Sequence, residues 1–412
     1  MNSERSLTVL QFGLTYAPKW QRGGPPRVML DYARALIGEG VRVMVLTAET
    51  NAPDPKDSWD GFPQGLHVHY FKKVGIRNIP PQFACSWKEL TSFFQTHWEE
   101  IDFVHLYQTR SLPNIVALWA SYRYGVKIVL SSFGSLPRRK GKIKYFYDRL
   151  FVFPLVRRAE LLLGQTSNEC ATYRQFGGHL DRIHLIPLAV DLSSCPGERS
   201  TAGTAFRLKC SIPNDARLFL FLGRLHRTKG LGFLLDCFAA LACNMPTAHL
   251  AIVGHDEGVL GNIGRKVETH GLKEKVTLCG PLFDSDRWQA YCGADYFVIT
   301  PEVFEETSLA SLEALACGTP VITNDRASVP WLVEYGAGWV VPGGDKSVTV
   351  STLIKACGAS EESWKRQSKA ARKLVSEKFE IRTVTKNIAE LLRSMQSTAS
   401  GNLNQPRTAP SR

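Results

Sequence analysis

Apolar residues recur along this chain in two alternating series. In the first half, LTVLQF (7–12), VRVMVLT (41–47), LHVHYF (66–71), DFVHLY (102–107), VKIVLSS (126–132), LLLGQT (161–166) and IHLIPLA (183–189) are short runs rich in β-branched residues. Between most of them the apolar positions fall three and four apart, as at Val28, Leu30, Tyr32, Ala35 and Leu36, which is the spacing of one helix face. Unbroken apolar runs alternating with amphipathic helices predict buried parallel strands in a doubly wound α/β sheet.

The pattern lapses over residues 193–214, where CPGERSTAGT has no clear period, and then restarts. LFLFLG (218–223), HLAIVGH (249–255), KVTLCG (275–280), YFVIT (296–300), PVIT (320–323) and GWVVP (338–342) form the second strand set. The expected organisation is an N-terminal Rossmann-like domain over 1–195, a linker over 196–214, and a second such domain over 215–380. A helix over 381–396 and a disordered polar tail over 397–412 complete it.

Composition keeps this reading within the globular class. The 412 residues are 44% hydrophobic and 21% charged, which excludes disordered, collagen-like and coiled-coil chains. The ten cysteines are scattered without metal spacing, as befits buried thiols in a reducing compartment. The N-terminus lacks a signal-peptide core, and no apolar run reaches the about 18 residues of a membrane span. A cytoplasmic protein is expected, peripheral to a membrane at most.

The formal charge of +12 has an address. Residues 138–158 hold eight bases, Arg138 among them, and one acid, Asp148. Ile143, Phe146, Tyr147 and Leu150 fall on one helical face there, the pattern of an interfacial helix on an anionic membrane surface. A core-facing helix with a solvated charged side fits the same letters. No nucleic-acid reading module accompanies the bases, so nucleic acid is not expected as a partner.

Candidate chemistry lies in the strand-to-helix loops, where ligands of parallel sheets bind. Gly23 and Gly24 precede the first helix, and paired glycines before free helical amides suit an anion. FLGRLHRTKG sets Arg224 and Lys229 five apart after a strand, two cations able to neutralise a diphosphate. In TPEVFEETSLASLEALACGTPVITN, Glu305 precedes a helix with Thr307 or Ser308 as N-cap, and Glu313 follows eight residues later. Two carboxylates suit vicinal sugar hydroxyls and the helix start between them suits phosphate, a constellation for a nucleotide sugar. The DSD at 284–286 reads as a helix N-cap rather than a metal site, and no metal is expected. Of the histidines, His105 at a strand end is the one retained for the acceptor side.

Together, the Gly23-Gly24 loop, FLGRLHRTKG, LAIVGHDEG, VTLCGPLFDSDRWQAYCGADYFVITP and the Glu-x7-Glu run through ACGTPVITN resemble the retaining glycosyltransferases of the GT-B fold, family four, also called glycosyl transferases group 1. The likeness spans roughly 5–395, more specific in the second half. It implies two facing Rossmann-like domains with a C-terminal helix crossing back to the first. It also implies a nucleotide-diphosphate sugar donor of UDP or GDP type, no cofactor, and a saccharide or lipid-linked acceptor in cell-surface polysaccharide or glycolipid synthesis. By the same likeness Arg224 and Lys229 hold the diphosphate, with Gly23 and Gly24 closing from the other domain. Glu305 meets the transferred sugar, Glu313 the ribose, and Thr307, Ser308 and Leu309 the donor. On the acceptor side stand His105, Phe133, Gly134 and Arg138. Two departures alter the expectation: Glu306 stands where the family commonly has Gly, with Ser308 two further on, and Phe133 stands before Gly134 where many members have His. A sugar-nucleotide epimerase, or a catalytically silent sugar-nucleotide-binding subunit of a polysaccharide assembly, are the competing readings.

Overall fold

The computed structural model describes residues 6–17, 24–48, 61–74, 80–137 and 141–400. Among them all thirteen expected strands form. The chain divides into two compact units: one takes residues up to Pro187 together with those from Ile381 onward, and the other is Leu188–Glu380.

In the first unit β1 (Thr8–Phe12), β2 (Arg42–Ala48), β3 (His67–Phe71), β4 (Phe103–Tyr107), β5 (Lys127–Ser131), β6 (Leu161–Gly164) and β7 (Ile183–Leu185) pair in the order β3-β2-β1-β4-β5-β6-β7, each neighbour parallel. Helices α1 (Gly24–Gly38), α2 (Trp87–His97), α3 (Leu112–Tyr124), α4 (Lys142–Tyr147), α5 (Phe153–Arg158) and α6 (Ser167–Gln175) connect them. Central β1 and β4 are buried along their whole length, which is why each lacks the alternation of a half-solvated strand. Phe12 meets Phe71 and Phe94 edge-on at 6.3 and 5.8 Å, three buried rings each worth about 1.5–3 kcal/mol of burial.

The second unit repeats the plan. β8 (Arg217–Leu222), β9 (Ala248–Val253), β10 (Val276–Gly280), β11 (Tyr296–Ile299), β12 (Val321–Asn324) and β13 (Gly338–Val341) run parallel in the order β10-β9-β8-β11-β12-β13. Its helices are α7 (Arg199–Lys209), α8 (Leu231–Asn244), α9 (Leu260–Thr269), α10 (Asp284–Gly293), α11 (Leu309–Ala316), α12 (Lys346–Cys357) and α13 (Glu361–Lys378). In both sheets the strand order reverses beside the first strand, between β1 and β4 and between β8 and β11. Such reversals leave a crevice at the carboxyl ends of the strands.

Three expectations change. The segment 196–214 is not an irregular linker, because α7 occupies most of it and belongs to the second unit, whose boundary falls at Pro187 and Leu188 rather than after residue 195. Polar anchoring, not an apolar stripe, fixes α7. Arg199 donates to the carbonyls of Cys317 and Ala294 and to Thr319 Oγ1, and Arg207 to Gly293 O and Asp295. A Cβ on Gly203 would lie 2.7 Å from Cys292 O, so glycine lets α7 press onto α10. With few buried apolar side chains, α7 carries almost no hydrophobic period.

Second, the terminal helix α14 (Ile381–Ser400) runs past the expected end at 396, and the rest of the tail lies outside the described residues. It packs against α1, burying Val384, Ile388 and Leu392, while Lys127 Nζ donates to Met395 O at 2.5 Å and Arg393 to Glu39 O. Third, the aspartates of DSD do not cap α10: Phe283 is the N-cap, and Asp286 pairs with Lys209 at 2.7 Å.

Six cysteines are buried, Cys195, Cys210 and Cys279 are half-buried, and Cys243 is exposed. Among the described residues no helix is long and apolar enough to cross a membrane.

Candidate functional site

The reversal in the second sheet gathers the loops after β8 and β11. After β8 the chain turns at Gly223. Leu225 N–H donates to His255 O at 2.8 Å, and a 3-10 turn follows over Arg227–Lys229, with His226 Nδ1 accepting from Thr228 N–H. Gly230 closes the turn in the left-handed region at φ 71°, and a Cβ there would lie 1.8 Å from Thr300 O. Only glycine lets this loop lie against the end of β11. The contact brings Lys229 Nζ to 2.7 Å from Glu305 Oε2, with both side chains largely buried. Arg224 lies outside this pair and meets Glu257 at 2.7 Å on the exposed rim.

Glu305 is fixed through its backbone, which donates to Arg326 O at 2.7 Å and accepts from Ser328 N–H at 3.3 Å. Asn324 pins the same loop by donating from Nδ2 to Pro301 O at 2.9 Å. Three residues on, Ser308 is the N-cap of α11 but makes no side-chain cap bond. The hydroxyls of Thr307 and Ser311, 8% and 0% exposed, have no hydrogen-bond partner among the described residues. Buried hydroxyls without partners are costly, and a helix start has free amides besides. The helix opening is thus unsatisfied in the manner of an anion site.

Glu313, one helical turn and more into α11, is 4% exposed. Arg287 Nε donates to its Oε1 at 3.2 Å and the Tyr291 hydroxyl to its Oε2 at 2.9 Å. Burial, with the Glu313 charge beside it, pushes the Tyr291 hydroxyl well above its ordinary range and keeps it a donor. Neither Arg287 nor Tyr291 stood out in the sequence; their place on α10, packed beside α11, is a tertiary fact.

The first unit treats its candidates differently. His105 is not available as an acceptor contact, for it is 1% exposed. Its Nε2 meets Ser131 Oγ at 2.8 Å, and Tyr107 OH lies 3.0 Å from Nδ1 and accepts from Gln11 Nε2 at 3.0 Å. Desolvation lowers its pKa to about 3, so the ring stays neutral inside the sheet. His105 stands in the middle of β4 rather than at its end and so shares the strand's burial, which the letters alone do not separate from a loop position. Phe133 is half-buried with φ 46° and its ring lies 5.4 Å from Tyr107. Gly134 N–H donates to Glu169 Oε1 at 2.8 Å. Glu169, unforeseen, also accepts from Ser132 Oγ and from Gln165 N–H at 2.9 Å, and so holds this loop from within. Gly24 opens α1, whereas Gly23 and Arg138 lie outside the described residues. Glu306 is buried, an acidic side chain where the likeness has glycine.

Residues 216–357 match the glycosyl transferases group 1, and residues 23–189 match the glycosyl transferase 4-like domain. The chain belongs to the group 1 glycosyl transferases. D-inositol 3-phosphate glycosyltransferase of Xylanimonas cellulosilytica is 26% identical to this glycosyltransferase over 325 residues, 73% of this chain and 75% of that protein. Mannosylfructose-phosphate synthase of Agrobacterium fabrum is 32% identical over 168 residues, 39% and 36% of the two chains. Among solved structures, Anabaena Alr3699/HepE in complex with UDP and glucose aligns at a TM-score of 0.76 with 19% identity, covering 94% of this chain and 100% of that one. That likeness shows the GT-B fold.

In this glycosyltransferase the second unit thus offers a cation, a carboxylate and an unsatisfied helix start on adjoining loops. Lys229 has three N–H bonds, and the pair with Glu305 occupies one, so it can hold phosphate oxygens while orienting the carboxylate. Among the described residues no three His, Cys, Asp or Glu side chains come together to hold a metal ion.

Proposed function

We propose that this glycosyltransferase moves the sugar of a nucleoside-diphosphate sugar, of UDP or GDP type, onto a hydroxyl of a saccharide or lipid-linked saccharide, with retention at the anomeric carbon. The observation that carries this is the Lys229–Glu305 pair on the loop leading to the α11 start, where the Thr307 and Ser311 hydroxyls lack partners. In this reading Lys229, with Arg224 at the rim, and the α11 amides at Ser308 and Leu309 bind the diphosphate. Glu305 accepts from the transferred sugar and Glu313 from the ribose. As the bond from the anomeric carbon to the phosphate oxygen breaks, the acceptor oxygen bonds to that carbon. The electron pair leaves on the diphosphate, one of whose oxygens takes the acceptor proton. Fixed donors aimed at the leaving group lower that barrier without reorganising.

A second reading of the acceptor, a small phosphorylated molecule, is favoured by relatives named for inositol phosphate and for a mannosylfructose phosphate. The test combines a thermal-shift panel of nucleotide sugars with product analysis by mass and anomeric NMR, using inositol phosphate, hexose phosphate and lipid-linked acceptors. A donor at 100-fold its Kd is expected to add about 2.7 kcal/mol. Lys229→Ala is expected to lower kcat about 10²–10³-fold with the native fold retained, as circular dichroism reads it. An unchanged rate overturns the assignment, sugar isomerised without acceptor marks an epimerase, and binding without turnover a silent subunit.

A further inference from the structure

A second surface, remote in sequence from the loops just described, is built for contact. After Gly141 the chain forms α4, a π-helical turn over Asp148–Val152, and α5. The inner side is anchored: Val152, Leu155 and Val156 are fully buried, and the Tyr147 ring lies 5.4 Å from Phe83. The outer side is not. Ile143 is 87% exposed, Phe146 62% and Leu150 63%, at positions three and four apart that share one helical stripe. Such large apolar side chains standing together in water mark an interaction surface.

Charge identifies the occupant. Lys142, Lys144 and Arg149 flank the stripe and are exposed. The one acid of residues 141–158, Asp148, is 3% exposed and turned inward, where Arg110 grips it through Nε at 2.7 Å and through Nη2 at 2.8 Å. That pair removes the single negative charge from the outer face, leaving bases around apolar side chains. The chain's own C-terminal residues 401–412 carry two arginines and no acid, so they offer no complement. Protein interfaces are depleted in lysine, whereas apolar side chains amid Lys and Arg are the composition of a helix lying in a headgroup layer.

We propose that the α4 face, with Ile143, Phe146 and Leu150 as the inserted side chains and Lys142, Lys144 and Arg149 as the headgroup contacts, docks this protein on an anionic lipid bilayer. The insertion is shallow, since a stripe of three side chains reaches only the headgroup and acyl boundary. The docking joins two weak terms, and each is separately removable.

Vesicle flotation of the full chain tests this, with phosphatidylcholine vesicles alone or containing about 30 mol% phosphatidylglycerol, at about 0.1 M and 0.5 M salt. The wild type is expected to float with the anionic vesicles at low salt and to be released at high salt or on the neutral vesicles. Lys144→Gln with Arg149→Gln lowers the partition coefficient roughly 30-fold, about fivefold per base. Phe146→Ser and Leu150→Ser each lower it on the order of tenfold. These side chains are exposed, so an unchanged melting temperature separates lost docking from misfolding. No flotation, equal flotation on neutral vesicles, or variants that float like the wild type overturn the proposal. So does a dimer that forms without vesicles and is dispersed by Phe146→Ser, which makes a second copy the occupant.

Discussion

At the scale of single residues, burial decides which titratable groups act and which only weigh on stability. His105 has a pKa near 3 in the fold against about 6.5 unfolded. Between those values the unfolded chain binds a proton that the folded chain refuses, so stability falls as pH falls. From pH 7 to pH 5 the loss is ~2 kcal/mol. His249, lowered to about 4 by burial with Lys275 and Arg207 nearby, adds a loss of the same sign in the second unit. Urea unfolding at the two pH values is expected to show this loss in the first unit, and His105→Asn to reduce it. A variant with the wild-type slope contradicts the assignment. That Lys229 and Glu305 lie on loops after strands was readable from the apolar runs preceding them. Their mutual pairing was not, and neither was the hold of Arg287 and Tyr291 on Glu313, since each joins residues from different elements.

At the scale of elements, backbone proximity does what side-chain pattern does not reveal. Gly230 carries Lys229 against β11 by a contact that no Cβ tolerates. Gly230→Ala therefore strains φ and collides with Thr300 O at once. We expect a cost of about 1–3 kcal/mol and at least a tenfold loss of kcat, since a misplacement on the order of 1 Å near the reacting atoms is expensive. Gly258→Ala is the control: φ is 93° but nothing lies within 4 Å, so strain alone remains and turnover persists. Thermal melting and steady-state kinetics on both variants distinguish placement from strain. The central strands were legible because burial on both faces leaves unbroken apolar runs, whereas the outer strands β3, β7 and β10 are only partly buried and were legible from their place in the alternation. Helix α7 was not, for it is held by Arg199, Arg207 and the close approach at Gly203, none of which makes a period.

At the scale of the molecule, the first unit is discontinuous in sequence and the second is not. Both sheets were foreseen, with the return of the last helix implied by family likeness, but the apolar face of α14 has no sequence mark for its partner α1. A chain ending at Glu380 keeps every strand and loses α14. Calorimetry on it is expected to show the second unit's transition unmoved and the first unit's lowered by several degrees, since α1 loses the neighbour that buries Val384, Ile388 and Leu392. An unchanged first transition refutes that dependence.

The same discontinuity sets an order of events on the ribosome. The residues up to Pro187 emerge first, yet their unit lacks α14 until the whole of Leu188–Glu380 and the final helix have been made. At ordinary rates of synthesis that interval is roughly 10–40 s, long beside the folding time of most domains. The second unit is contiguous and completes first, while the α1 surface stays open to chaperones or to misassociation. The helix translated after the second unit thus finishes the unit that was begun before it.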